Sequence, residues 1–518
     1  MTVDATADTA ATGKEKALWL LERLVPGTGV NNLGLALRAD GRLRPDVLQA
    51  ALAIMLDRHE ALRTVFRAGD AADLFKWIVA ASDFRVPFES IGSSDAPVQE
   101  RLVAFTDRPF ALDGSPLVRA GLAAEPDGDV LCIAVHHLAF DMVSMVLFLR
   151  EFIGVYEAIR GGQPIPPAAP APAAVAPSES RPEDVAYWRA ALSGHVPGGP
   201  GVWFADARHR RPVMPGGTAR HTLSADAQQA LQKLPRACRA PVAAVLLAAY
   251  AALLASHGAG LDIVIGSPVD VRGANSAVIG YHVNVVPLRL HVDLSAGFRD
   301  LVRQARDAFL GAMAHAGFSV DELGAELGAS GQNPLFRHLF NFLPTASPGE
   351  LSIAGMPARL VTVDNPYSKF DLELVGTPSA SEIWFRYARD VLSAADVETL
   401  LHRFEAVLIA AARDADEPIG ATANWTDGDP RAERETANGP DTPEPPLDAE
   451  LLAVLIGLWS ELLNVEADAH TGFFEAGGHS LLAAVLAQKV ADRTGISVPL
   501  PEIFENPSPA ALAARLRA

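Results

Sequence analysis

Two short strings in this 518-residue sequence combine residue types that can do chemistry. The first, His136-His137-Leu138-Ala139-Phe140-Asp141, holds two imidazoles and a carboxylate. A histidine can hold a substrate amine and accept its proton near neutral pH, and a nearby carboxylate can orient a histidine or anchor the loop through an arginine. The second, Gly477-Gly478-His479-Ser480-Leu481, presents a hydroxyl after two glycines that free the backbone.

The histidines are predicted to lie where a strand turns into a helix. Val130–Val135 is strand-like, Met142–Ile159 is a long amphipathic helix, and Asp141 stands at the N-cap position. Adjacent residues on an extended segment point opposite ways, so only one of the two histidines is expected to face a substrate. The alternative remains open that backbone carbonyls satisfy both histidines and that Asp141 is an ordinary cap.

The serine lies in a region that predicts four helices. Apolar residues recur at helical spacing in 447–463, a second helix runs to Val490, and shorter helices are expected at 501–504 and 509–516. Ser480 falls in the first turn of the second helix, where a phosphodiester would meet unpaired backbone N–H groups at the positive end of the dipole. The alternative is a Gly-Gly turn in which Ser480 only caps the helix.

Composition excludes several classes of protein. The net charge of −19 argues against binding nucleic acid or an anionic membrane surface, because both repel acidic proteins. Two cysteines cannot build a disulfide framework, and the N-terminus lacks a signal-peptide pattern. The longest apolar run, 242–255, is too short to span a bilayer and is typical of a buried helix. We therefore expect a cytoplasmic protein with no membrane contact.

Two stretches of unusual composition divide the chain. Residues 161–182 are crowded with proline and alanine, and residues 424–446 are polar and end in prolines. The predicted organisation is 1–170, 171–423, a linker at 424–446 and a C-terminal domain at 447–518.

Further segments resemble the sequence signatures of one enzyme family, and they occur along the chain in the order found in that family. They are Arg58–Phe66 (RHEALRTVF), His136–Asp141 (HHLAFD), Ile279–Asn284 (IGYHVN), Asn333–Phe336 leading to Phe340–Phe342, and Ser368–Leu372 (SKFDL). Together they resemble the condensation domains of nonribosomal peptide synthetases. The resemblance implies an α/β (α+β) fold of two lobes, each like chloramphenicol acetyltransferase, around a tunnel. It identifies 1–170 and 171–423 as the N-terminal and C-terminal lobes.

The same resemblance implies roles for single residues. His137 would point into the tunnel and position or deprotonate the acceptor amine, with His136 beside it in the catalytic motif. Asp141 would be structural and pair with an arginine of the other lobe, for which Arg272 occupies the matching place. Met142 departs from the glycine that usually follows this aspartate, which leaves the identity of the acceptor open; activity is expected to survive because methionine is a good helix former. Candidates to line the tunnel or the acceptor site are Met142, Asn284 and Ser368.

The C-terminal string resembles the attachment site of peptidyl carrier proteins. That resemblance implies 4'-phosphopantetheine on Ser480, with Gly478 and His479 completing the motif, in an all-α four-helix carrier domain. It also implies a phosphopantetheinyl transferase as a partner. No adenylation domain stands between the two domains and the first begins near Met1, so we expect a trans-acting adenylation enzyme and a donor delivered by an upstream carrier protein in trans.

The sequence therefore leaves three hypotheses for the function. The favoured one is an acyltransferase that joins a donor acyl or peptidyl group to an amine held on the arm at Ser480. The alternatives are an acyltransferase that makes an ester or uses a soluble acceptor, and a non-catalytic scaffold that docks the carrier. The product could serve as an antibiotic or a siderophore. No metal site is expected, since the histidines outside the motif show no metal-ligand spacing.

Overall fold

A computed structural model describes most of the chain in two compact units. The described residues are 9–69, 73–92, 96–168, 181–199, 202, 214–273, 277–318, 324, 327, 335–343, 351–378, 381–422, 449–463, 465–473, 476, 480–496, 498, 502–503 and 506–516. One unit comprises residues 1–178, 270–284 and 346–366, and the other comprises the rest. Residues 270–284 and 346–366 thus belong to the first unit, although they follow residue 170 in the sequence.

The first unit is built on a six-stranded sheet. In spatial order its strands are Leu351–Ile353, Met356–Thr362, Asn32–Ala39, Gly128–His136, Val118–Glu125 and Phe88–Ser90. The last pair is parallel and the other pairs are antiparallel. Every residue of Gly128–His136 is buried, so this central strand holds its C-terminal end rigidly. The helices are Gly13–Leu24, Pro45–Arg58, Val98–Asp107 and Met142–Gly161, and a separate three-stranded sheet contains Thr9–Ala10, Leu74–Ile78 and Thr64–Ala68.

Helices of this unit pack against the sheet and against one another. Val98–Asp107 places Leu102 and Phe105 against Ala36, Cys132 and other small strand residues. Pro45–Arg58 packs along Met142–Gly161. The tight hairpin that precedes the central strand needs a glycine, because Gly128 has φ +140° and a Cβ there would lie 2.0 Å from the Ala39 carbonyl oxygen.

The second unit has its own six-stranded sheet. Its strands are, in spatial order, Val283–His291, Asp262–Asp270, His338–Phe342, Leu372–Gly376, Glu382–Ala388 and Gly216–Thr222. Its main helices are Pro182–Ala191, Ala225–Cys238, Val242–Ser256, Phe298–Ala314 and Ala394–Arg413, with a short turn of helix at Ile419–Thr422. Ala243 to Ser256 are all buried, which confirms the helix predicted from the apolar run.

No single helix among the described residues is long and apolar enough to cross a membrane. Within this described part of the chain, only a pair of helices, Ala225–Cys238 and Val242–Ser256, is together long and apolar enough, and the two helices meet at a bend of 106°.

The C-terminal region is helical, as predicted. Its helices are Ala449–Leu463, Ser480–Thr494 and Pro509–Arg515, and the first packs on the other two. Trp459 and Phe473 form the centre of their core, with ring centroids 5.2 Å apart. Of the predicted short helix at 501–504, Glu502 and Ile503 are helical and the other two residues lie outside the described part of the chain.

Candidate active site and carrier serine

The histidine motif lies at the end of the central strand of the first unit. Gly128–His136 ends at the first histidine, and Met142–Gly161 begins one residue after the aspartate. The turn between them is held by backbone hydrogen bonds from the Ala139 N–H to the His136 carbonyl and from the His137 N–H to the Asn31 carbonyl. The predicted strand-to-helix junction is confirmed.

His136 is fully buried and both of its ring nitrogens are bonded. The Leu138 backbone N–H donates to Nδ1 at 3.0 Å, so Nδ1 carries no proton. Nε2 therefore donates to the Glu22 carboxylate, which extends from the helix Gly13–Leu24. The ring of His136 is therefore held in one orientation inside the protein.

His137 faces the other way and is only half-buried. Its Nδ1 lies 2.8 Å from the Phe140 carbonyl oxygen, which can only accept, so Nδ1 carries the proton. In the neutral ring this leaves the acceptor lone pair on Nε2. The Tyr281 ring meets the imidazole edge-on at a centroid distance of 5.1 Å. The arrangement fixes both the tautomer and the direction of the ring.

Asp141 caps the helix and binds a segment far along the chain. One carboxylate oxygen accepts from the Ser144 N–H at 2.8 Å and from the Arg272 guanidinium at 2.5 Å, and the other accepts from the His282 N–H at 2.9 Å. Burial alone would raise the pKa of Asp141, but the Arg272 guanidinium and the two backbone donors outweigh it and hold the pKa below its usual value. The carboxylate is therefore ionised at neutral pH.

Arg272 connects the segment 270–284 to the start of the helix. Its guanidinium also donates to the Ser144 hydroxyl at 2.7 Å, to Asp270 at 2.9 Å and to the Val278 carbonyl at 2.8 Å. The bonds from Arg272 to Asp141 and Ser144 connect this segment to the rest of the first unit. The arginine that pairs with Asp141 is thus part of that unit, whereas the sequence assigns it to the second lobe.

A lysine lies beside the histidine site. Lys14 Nζ donates to the Tyr281 carbonyl at 3.0 Å and lies 4.8 Å from the centre of the Tyr281 ring. Burial lowers the pKa of Lys14 from its ordinary value. The amine fixes the tyrosine whose ring touches His137.

The three candidate acceptor-site residues have different positions. Met142 is the first helical residue after Asp141 and is 47% exposed. Asn284 is half-buried in the segment that carries Arg272. Ser368 belongs to the second unit, where its hydroxyl donates to the Phe370 carbonyl at 2.8 Å.

Ser480 is the first residue of the helix Ser480–Thr494. The first backbone N–H groups of a helix have no intrahelical acceptor, so they can bind the phosphate of a group attached to this serine. Gly478 and His479 lie outside the described residues. The helix start thus fits the attachment of 4'-phosphopantetheine.

Two family models match the chain at the positions of these sites. The model described as condensation domain matches residues 11–429, which is most of the chain. The chain belongs to the condensation-domain family. The model described as phosphopantetheine attachment site matches residues 453–516, so a carrier domain follows the condensation domain and phosphopantetheine is its cofactor.

Curated relatives are nonribosomal peptide synthetases. Bacitracin synthase 3 of Bacillus licheniformis is 29% identical over 430 residues, which cover 79% of this chain and 6% of that protein. A probable non-canonical nonribosomal peptide synthetase, CymA of Salinispora arenicola, is 30% identical over 466 residues, covering 85% of this chain and 6% of its own length. The chain therefore spans a small part of these relatives.

Solved structures share the fold of the condensation domain. The first condensation domain of the calcium-dependent antibiotic synthetase, in complex with a substrate analogue, has a TM-score of 0.65 and 24% identity and covers 80% of this chain and 99% of its own. The X-domain from teicoplanin biosynthesis has a TM-score of 0.68 and 24% identity, covering 81% and 98%. These neighbours confirm the predicted chloramphenicol-acetyltransferase-like fold.

Three residues around the histidine motif were not predicted as site residues. Glu22 and Lys14 lie on the first helix, and Tyr281 lies in the segment 270–284. Tyr281 stands inside the motif Ile279–Asn284, and that motif is the sequence signal that points to it. Lys14 and Glu22 have the spacing of an ordinary amphipathic helix, so no sequence signal marks them as site residues.

Proposed function

We propose that the condensation domain joins a donor acyl or peptidyl group to the amine of an acceptor held on Ser480, so that an amide bond forms within a nonribosomal peptide synthetase. The observation that carries this proposal is the fixed orientation of His137. Its Nδ1 proton is bound by the Phe140 carbonyl at 2.8 Å, which presents Nε2 as the acceptor.

When bound, 4'-phosphopantetheine supplies a thiol on a long arm and thereby holds the acceptor as a thioester. His137 Nε2 accepts a hydrogen bond from the acceptor amine. The amine nitrogen attacks the donor carbonyl, the new C–N bond forms and the C–S bond of the donor thioester breaks. His137 takes the proton that the nitrogen loses, and the donor's sulfur leaves and gains a proton. A free amine needs little activation, so orientation of the amine contributes much of the rate.

The other members of the motif act through His137. His136 and Glu22 fix the end of the strand that precedes it, and Asp141 with Arg272 fixes the helix that follows it. We therefore assign them as positioning residues. Met142 and Asn284 are proposed to contact the acceptor, and Ser368 is proposed to line the substrate path in the second unit.

The proposal also defines partners. The family models leave only residues 430–452 between the two domains, which is too short for a further domain. The acceptor must therefore be loaded by an adenylation enzyme that does not stand between them. A phosphopantetheinyl transferase primes Ser480, and a carrier protein delivers the donor.

The experiment is single-turnover condensation with the primed chain, an aminoacyl group loaded on Ser480 and a panel of donor carrier proteins. His137→Ala is expected to slow product formation by about 10²–10⁴-fold, the range for general acid–base catalysis. His315→Ala is the matched control, because His315 is likewise half-buried with its Nδ1 hydrogen-bonded, here to Asp184 at 2.7 Å, but it lies in the second unit. Equal rates in both variants would favour a non-catalytic scaffold.

A further inference from the structure

Three potential metal ligands meet on the second unit, far from the histidine motif in sequence. His221 lies on the edge strand Gly216–Thr222, and His402 and Glu405 lie on the helix Ala394–Arg413. Residues three apart on a helix share one face, so the two helical side chains project together. One ligand atom from each residue lies within 4.8 Å of the other two.

Two of these residues are already ordered by hydrogen bonds. Glu405 Oε2 lies 2.6 Å from His221 Nε2, and Glu405 Oε1 accepts from the Ser224 N–H at 2.9 Å. A carboxylate with one oxygen bound by a backbone donor is the kind of oriented ligand that metal sites use.

His402 takes no part in the hydrogen bond between His221 and Glu405, but its ring lies beside the His221 ring. Its ring meets the His221 ring edge-on at a centroid distance of 5.4 Å and an interplanar angle of 86°. His402 is exposed whereas its two neighbours are half-buried. One side of the cluster is thus open to water, which could supply a fourth ligand.

We propose that His221, His402 and Glu405 bind a divalent zinc-class cation. Two imidazoles and a carboxylate with an open position are a common set of three protein ligands for Zn²⁺. Binding replaces the His221–Glu405 hydrogen bond by a bond from each residue to the metal, and the proton of that hydrogen bond is released to water. It also links the edge strand of the sheet to the helix Ala394–Arg413, so the metal stabilises the second unit.

The test uses the full chain after removal of metals with a chelator. Titration with Zn²⁺ in a calorimeter, and with Co²⁺ followed by its visible absorption, is expected to show one ion bound per chain with a tetrahedral spectrum. His402→Ala should weaken binding by at least about 10- to 100-fold, a loss that even changes in outer-shell partners cause. His402 is exposed, so this variant is expected to fold.

His291→Ala is the matched control. His291 is another exposed histidine beside a carboxylate, with Nδ1 3.3 Å from Asp262, and its removal should leave the titration unchanged. As a second readout, Zn²⁺ should raise the thermal unfolding midpoint of the wild type and of His291→Ala but not that of His402→Ala. The proposal is overturned if no ion binds at millimolar Zn²⁺, or if His402→Ala binds as tightly as the wild type.

Discussion

Replacing Asp141 by alanine should loosen the junction between the helix Met142–Gly161 and the segment 270–284. The Asp141 and Arg272 side chains are 3% and 1% exposed, so removal of the carboxylate leaves a buried guanidinium without its main counter-charge. Breaking a buried ion pair by removing one partner costs about 3–5 kcal/mol. Loss of the N-cap bond to Ser144 is included in that range.

Hydrogen exchange followed by mass spectrometry measures this loss locally. Since about 1.4 kcal/mol is a factor of ten, peptides covering 141–145 and 278–283 should exchange about 10²- to 4 × 10³-fold faster in Asp141→Ala. Asp46→Ala is the matched control, because Asp46 pairs with Arg44 at the surface, where the two side chains are 66% and 60% exposed. That variant should exchange like the wild type in its own region.

The effect has a definite pH dependence. The folded pKa of Asp141 lies below its unfolded value, so its stabilisation is complete above the ordinary pKa of about 3.9 and is lost as the pH falls through the folded value. The difference in hydrogen-exchange protection between the wild type and Asp141→Ala should therefore be constant near neutral pH and become smaller in acid. Equal protection in Asp141→Ala and the wild type at pH 7 would refute the account of this pair.

Three further predictions concern single positions. Gly128→Ala should destabilise the first unit, because φ is +140° and a Cβ would meet the Ala39 carbonyl; the backbone strain alone costs about 1–3 kcal/mol. Gly154→Ala is the control, because there is open space around its Cβ and it should not be destabilising. Similar midpoints of the two variants in chemical denaturation would contradict this prediction. Burial lowers the pKa of His257 to about 4, so the unfolded chain binds a proton that the folded chain does not between pH 6.5 and 4. The free energy of unfolding should therefore decrease by about 3 kcal/mol as the pH falls across that window. The thermal unfolding midpoint should fall less steeply with pH in His257→Gln than in the wild type, and parallel midpoint-against-pH curves would contradict this role of His257. Intact mass should rise by one phosphopantetheine when the chain is incubated with coenzyme A and a phosphopantetheinyl transferase, and Ser480→Ala should show no such increase; addition to Ser480→Ala would exclude this serine as the sole site.

Local patterns predicted much of the first unit. The central strand, the N-cap at Asp141 and the following helix all follow from period and cap chemistry, and the structure confirms them. The alternation of side chains along a strand also predicted that the two histidines differ, and His136 is buried whereas His137 is half-buried.

Contacts between distant segments were not predictable from such patterns. Glu22 bonds to His136 across 114 residues, and Lys14 bonds to the Tyr281 carbonyl across 267. Neither charged residue differs in type or spacing from the solvated face of an amphipathic helix. The pair of Arg272 with Asp141 was found only through the resemblance, which supplied a partner that spacing could not.

The proposed metal ligands illustrate the same limit. His221 is separated from Glu405 by 184 residues, and a strand and a helix supply the ligands. Sequence rules for metal sites rest on closely spaced ligands, so only the fold brings this cluster together.

The central claim is that the amine held on Ser480 is the acceptor and that His137 serves its acylation. The most direct measurement is the mass of the peptide containing Ser480 after a single turnover, with the same amino acid also supplied free as a soluble competitor. We expect the arm on Ser480 to gain the acyl group as an amide, and we expect His137→Ala to lose most of this gain. Acylation of the soluble amine or of a hydroxyl acceptor, with the Ser480 peptide unchanged, would contradict it.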